Sequence, residues 1–203
     1  MRFISTFRFF ADNLFMNRKI FLLLLIFSFF AIPAFSKTGF EFGIGSGHVF
    51  YGDDDVKDMS KSLSSSSQCI LATDALCLIP LNDFLIFSLG GDSVFDFQWK
   101  GSDHIYLIDY AFLLGFRAYP NLGGTFFSVD YALGRRTDFI STENHDSTQS
   151  TKWGNGFKIA VGYDFSYHLS NFAPLIAISL KNMPRGGSRD NLFCVSIKLT
   201  KHK

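Results

Sequence analysis

The chain has 203 residues, enough for one domain of ordinary size. Only 18% of them are charged, against about 25% in an average soluble domain, and the net charge is +1. Without the first 36 residues the 19 basic and 18 acidic residues become 15 and 17, so no basic surface is left for nucleic acid.

Aromatic residues make up 17% of the chain, and 26 residues are Phe. Yet no apolar run reaches the roughly 18–20 residues of a membrane helix. Such a composition leaves two expectations, a buried β-core or strands that face lipid.

Met16-Asn17-Arg18-Lys19 opens a basic segment, and Ile20 to Ile32 is an apolar run of about 13 residues. Pro33 then breaks the helix before the small residues Ala34 and Ser36. A basic start, a short apolar stretch and a small-x-small site are the parts of an export signal. Residues 1–36 are therefore expected to be a signal peptide region, cut after Ser36, with Met16 as the expected true start. Residue 37 is Lys rather than Cys, which argues against lipoprotein processing.

Residues 37–203 change character to a period of two. The first candidate strand lies within 38–51, where Phe40, Phe42 and Ile44 oppose Glu41, Gly43 and Gly45. Residues 68–79 alternate least clearly. In 84–99, Leu85, Phe87, Leu89, Phe95, Phe97 and Trp99 share a parity. In 105–117, Tyr106, Ile108, Tyr110, Phe112, Leu114 and Phe116 oppose Leu107, Asp109, Ala111, Gly115 and Arg117. Further strands are expected at 125–134, 157–167, 172–181 and 192–200. Side chains of a strand point to opposite faces in turn, so each segment has one greasy and one small or polar face.

Long or polar links are expected at 52–67, 100–103, 138–152 and 183–190. Tight turns are expected at 80–83, 119–124 and 169–171, where Gly, Pro, Asn and Asp mostly supply the dihedrals. Eight antiparallel strands with short turns at one end and longer loops at the other make an outer-membrane barrel. A soluble β-sandwich or lipocalin-like binder also alternates, but its polar face meets water and carries dense charge. Here that face is mostly Gly, Ala and Ser with about one charge per strand, which suits a narrow barrel interior.

The expected inward charges are Glu41, Asp109, Asp130 and Asp164 against Arg117, Lys158, Lys181 and Lys198. Buried charges have to be paired, so these eight are expected to form an ion-paired plug. Phe50, Tyr51, Trp99, Tyr106, Tyr119, Trp153 and Tyr167 lie near strand ends and are expected in the two interfacial girdles.

Residues 37–203, with the Gly-rich first strand Gly39-Phe40-Glu41-Phe42-Gly43-Ile44-Gly45-Ser46-Gly47, resemble the small eight-stranded outer-membrane proteins of the OmpA, OmpX and OmpW type. The resemblance implies an all-β, up-and-down transmembrane β-barrel, surrounded by outer-membrane lipids and inserted by the barrel-assembly machinery. The balanced inward charges and the loop asymmetry point to a structural or surface-interaction barrel with a blocked lumen, its loops near 52–67 and 138–152 expected to meet extracellular ligands. The alternative is a small transport barrel for ions or apolar solutes, for which Gly90-Gly91 is the one hint.

No chemistry stands out against this background. Cys69, Cys77 and Cys194 have no metal-binding spacing. Cys69 and Cys77 are roughly 26 Å apart along one strand, too far to bridge, so all three are expected to be packing thiols. His48, His104, His145, His168 and His202 scatter over different elements, and no triad emerges. Asp53-Asp54-Asp55 lacks the Gly and distal Glu of a calcium loop and is expected to be solvated. Arg135, Arg136, Arg185 and Arg189 are expected as rim charges. No enzyme activity, cofactor or metal is expected.

Overall fold

The computed structural model describes residues 38–63, 67–142, 145–168 and 172–201. The signal region, with Ala34 and Ser36, lies outside the described residues, as do the 169–171 turn and His202. Alternation turns into strand almost wherever the sequence shows it. The elements are β1 (Gly39–Phe50), α1 (Asp54–Ser62), β2 (Ser67–Pro80), β3 (Leu85–Lys100), β4 (Asp103–Ala118) and β5 (Thr125–Thr142). There follow β6 (His145–Ser150), β7 (Gly154–Asp164), a 3-10 turn (Phe165–His168), β8 (Ala173–Arg185) and β9 (Ser188–Lys201).

Every pairing is antiparallel, and the order closes on itself as β1-β2-β3-β4-β5-β7-β8-β9 and back to β1. The result is a closed barrel of eight strands. Among the described residues β6 pairs with β5 alone, over Thr137–Thr142, so the two form a hairpin arm beyond the ring. Closure leaves few unpaired amides, which hydrocarbon cannot satisfy.

The two faces sort as the alternation demands. Phe42 (58% exposed), Phe112 (64%) and Ile197 (59%) point outward, with Phe, Leu, Ile and Val on all sides of the ring. A water-soluble surface does not carry an apolar belt of this extent; a bilayer requires one. Among the described residues no helix is long and apolar enough to cross a membrane, so the strands do the crossing. Leu78, Ile86, Phe126 and Leu175 fill the lumen near the turns at 81–84 and 119–124. That end also holds the first residue of β1 and the last of β9, and is called the inner end.

At the outer end the expected links are partly corrected. The chain reverses between Lys100 and Asp103, and again between Arg185 and Ser188, in two-residue turns, shorter than the links expected at 100–103 and 183–190. Gly101 (φ 63°) and Gly186 (φ 65°) occupy the first turn position, where a left-handed residue matches the strand twist. The 138–152 link is mostly the β5–β6 arm. The 52–67 link is built around α1, which Asp53 caps by accepting a hydrogen bond from the Asp55 amide at 3.1 Å. Asp53-Asp54-Asp55 is therefore a helix start rather than a plain solvated loop. The strand expected over 157–167 stops at Asp164 and gives way to the 3-10 turn.

Helix α1 folds back over the barrel mouth. Its Val56, with Leu63 at its C-terminal end, packs on the inward-facing Ile105, Leu107 and Ile140 of β4 and β5, joined by Tyr51 and Met59. The mouth is thus covered by an amphipathic lid, not an open loop.

Candidate functional site

The lumen's polar face is one continuous chain of ion pairs. At the inner end Arg117 (β4) meets Glu41 (β1) at 2.7 Å, and Glu41 also meets Lys198 (β9) at 3.0 Å. Lys198 continues to Asp74 (β2) at 2.7 Å, and Asp74 to Lys158 (β7) at 3.5 Å. Lys158 reaches Asp92 (β3) at 3.1 Å, and Asp92 reaches Lys181 (β8) at 2.8 Å. Lys181 meets Asp109 (β4) at 2.9 Å, and Asp109 meets Arg185 (β8). Arg185 meets Asp190 (β9) at 2.7 Å, Asp190 meets Arg136 (β5) at 2.5 Å, and Arg136 meets Asp138 at 2.7 Å.

Six acids thus alternate with six bases, and each of the eight ring strands contributes at least one of them. Side-chain exposure along the chain runs from 0% at Glu41 and Arg185 to 15% at Asp109. Charges so deeply placed are tolerable only with opposite charges on their flanks. Backbone geometry makes room for them. A Cβ added at Gly43 would come within 2.3 Å of Asp74 Oδ1 and 2.9 Å of Lys198 Cγ, so the Gly-rich first strand admits that pair.

Of the eight expected lumen charges, Glu41, Arg117, Lys198, Lys158, Lys181 and Asp109 join this chain. Asp130 and Asp164 also point inward, but their neighbours include hydroxyls. Asp130 accepts from Ser88 Oγ at 2.8 Å. Asp164 accepts from Tyr119 Oη at 2.7 Å and from Ser166 Oγ at 2.6 Å.

The sequence reading missed Asp74, Asp92, Asp138 and Asp190, and set Arg136 and Arg185 on the rim. Those two arginines are instead 1% and 3% exposed, inside the outer half of the lumen. The signal for Asp92 was present, since it shares parity with Ser88 across Gly90. Asp74 was hidden because β2 carries apolar residues on both faces. Asp138, Asp190, Arg136 and Arg185 lie beyond the strand ends that were expected.

Two expected girdle aromatics are also lumen residues. Tyr119 is 1% exposed, beside Phe126 and bonded to Asp164. Tyr51 lies in the covered mouth, where its hydroxyl donates to Asp96 Oδ2 at 2.6 Å and Arg136 stands over its ring. Burial, with the Asp96 carboxylate beside it, pushes the Tyr51 phenol above its ordinary range, so it stays a donor. Each turned inward because a polar partner awaited its hydroxyl. Phe50, Trp99, Tyr106 and Trp153 are exposed on the outer face. The Tyr167 side chain lies outside the described residues.

Two small cavities lie among the paired charges. A cavity of about 20 Å³ lies among Tyr51, Leu107, Asp109, Arg136, Lys181 and Asp190. Another, of about 10 Å³, lies near Asp92, Lys158 and Cys194. Each has room for about one water. Gly90 and Gly91 keep their pairing to β2 and β4, and an open groove of about 810 Å³ lies beside them, lined by Phe42, Leu89, Phe112, Asp74 and Asp92. Cys194 packs inside with Val94 and Leu192, and Cys69 and Cys77 are free thiols.

A closed ring, a lipid-facing belt and a charge-filled core define the class, a small eight-stranded transmembrane β-barrel. Among solved structures the chain is similar to Ail, the attachment invasion locus protein of Yersinia pestis. The TM-score is 0.52 at 9% identity, over 80% of this chain and 97% of that one. Ail in complex with the heparin analogue sucrose octasulfate gives 0.53 at 9% identity, over 81% and 99%. The N-terminal β-barrel domain of Pseudomonas aeruginosa OprF gives 0.45 at 9% identity, over 81% and 97%. No family model and no curated protein matches the sequence. At 9% identity the likeness to Ail is one of fold.

Proposed function

We propose that this chain is an outer-membrane barrel with a non-conducting interior, serving as a rigid scaffold that presents its outer end at the cell surface. One observation carries the reading: the alternating ion-pair chain crosses the lumen from Arg117 to Asp138, with every one of its twelve charges paired. A path for ions would have to displace paired charges, each of which holds its neighbours in place. Export through the segment ending at Ser36, insertion by the barrel-assembly machinery and a shell of outer-membrane lipids belong to the same proposal. Catalysis does not. What meets the surroundings is the β5–β6 arm and the exposed side of α1, the regions first expected as ligand-contacting loops.

Planar-bilayer recording of the refolded protein tests the reading. A closed lumen gives a flat baseline at moderate voltage. A steady unitary conductance in most insertions would overturn it.

A further inference from the structure

The β5–β6 arm carries a recess that the scaffold reading leaves unused. Cross-strand register sets His104 (β4) opposite Ser141 (β5), and Ser141 opposite Asp146 (β6). The neighbouring row on the same face is Tyr106, Phe139 and Thr148. His104, Phe139, Ser141, Asp146 and Thr148 line a groove of about 370 Å³, within the roughly 300–1,000 Å³ of small-ligand sites. Phe139 is 39% exposed and offers a flat apolar wall. Ser141 Oγ donates to Asp146 Oδ1 at 2.6 Å, which fixes the carboxylate beside that wall. The His104 ring stacks on Tyr106 at 4.9 Å, with Nδ1 placed 3.1 Å from the Ser102 carbonyl.

We infer that this groove binds the neutral hexose headgroup of a glycolipid in the outer leaflet. A pyranose has an apolar C–H face for an aromatic wall and a rim of hydroxyls for a carboxylate, hydroxyls and an imidazole. Neutrality follows from charge. The groove's one carboxylate is Asp146, and among the described residues no Lys or Arg lines it, so a sulfated or phosphorylated sugar is repelled. The lipid source follows from height. Exposed Tyr106 and Phe139, opposite each other in the register, mark the outer girdle, where aromatic rings sit at headgroup level. The His104–Ser141–Asp146 row stands two residues further out, about 7 Å along the strands. A sugar tethered to an acyl chain arrives at that level. The inference builds on the cell-surface placement of this end, and bilayer recording tests the lumen separately, so either can fail alone.

The test uses full-length refolded protein in nanodiscs. These contain a monohexosyl diacylglycerol and a phosphatidylcholine of the same acyl chains, and native mass spectrometry reads which lipid stays bound. At least tenfold preferential retention of the glycolipid is expected. It should be lost in Phe139→Ala and in Asp146→Asn but kept in Ile197→Ala, a belt residue on another strand. A gel shift between unboiled and boiled samples verifies that each variant is folded, and Ser141→Ala replaces Phe139→Ala should that one fail. A separate arm titrates a soluble methyl hexoside and expects binding at least tenfold weaker. Equal retention of the two lipids would reduce the row to an ordinary girdle and overturn the inference. So would a preference that survives the groove variants, or a soluble hexoside bound as tightly as the glycolipid.

Discussion

Lys181 lies between two carboxylates, Asp92 at 2.8 Å and Asp109 at 2.9 Å, and each has a second cation on its far side. Removing its charge therefore leaves two acids half-compensated in a dry lumen. Lys181→Met should destabilise the barrel by about 3–5 kcal/mol, read as a lower urea midpoint in detergent micelles. Restoring balance with Asp92→Asn in the same chain should recover part of that loss, and a strictly additive double variant would contradict the coupling. Tyr119→Phe removes one hydrogen bond to the buried Asp164 carboxylate and should cost about 1.5–3 kcal/mol. Both tyrosines that proved to be interior, Tyr51 and Tyr119, illustrate a limit of sequence reading at this scale. Their position near strand ends was legible, but the choice between lipid interface and lumen depends on whether a carboxylate from another strand arrives beside the ring. Asp96 and Asp164 decide it, and each is 45 residues away in sequence.

Helix α1 is held by its cap, by a small apolar contact and by the hydrogen bond that Ser60 Oγ donates to Gln98 Oε1 at 2.9 Å. Asp53→Ala should cost about 1 kcal/mol of helix stability. Hydrogen exchange over residues 54–63 should accelerate while the barrel strands keep their protection. If the strands exchanged faster as well, the lid would be part of the barrel's cooperative unit rather than an addition to it. Most strands were legible from the period-two pattern, because one face meets lipid and the other meets side chains of a narrow lumen. Their outer ends were not, since there the outward face of β5 carries Thr137 and Ser141 while the inward face mixes Arg136 and Asp138 with Ile140, and the contrast between faces that the sequence shows fades. The same cause hid the two short turns. Lys100–Asp103 and Arg185–Ser188 read as polar links, although each is only a Gly-led reversal between strands that continue to it.

The barrel as a whole is inverted relative to a soluble protein, with its apolar surface outside and its charge inside. Ile178, near the middle of β8 and 46% exposed, tests that orientation. Ile178→Arg should cost about 2–4 kcal/mol in a bilayer, and a neutral result would mean that this face does not meet hydrocarbon. The charge chain has a further consequence, for assembly. Its links join strands far apart in sequence, such as Glu41 with Lys198 and Arg136 with Asp190. In a sheet that has entered the membrane but not yet joined β9 to β1, Lys198 has neither Glu41 nor Asp74 opposite it, and Asp190 keeps Arg185 of its own hairpin but lacks Arg136. Ionic balance therefore reports whether the ring has been sealed. Half-built sheets stay poorly soluble in hydrocarbon, and the final strand locks the rest, which makes insertion an all-or-none event with its own check on completeness.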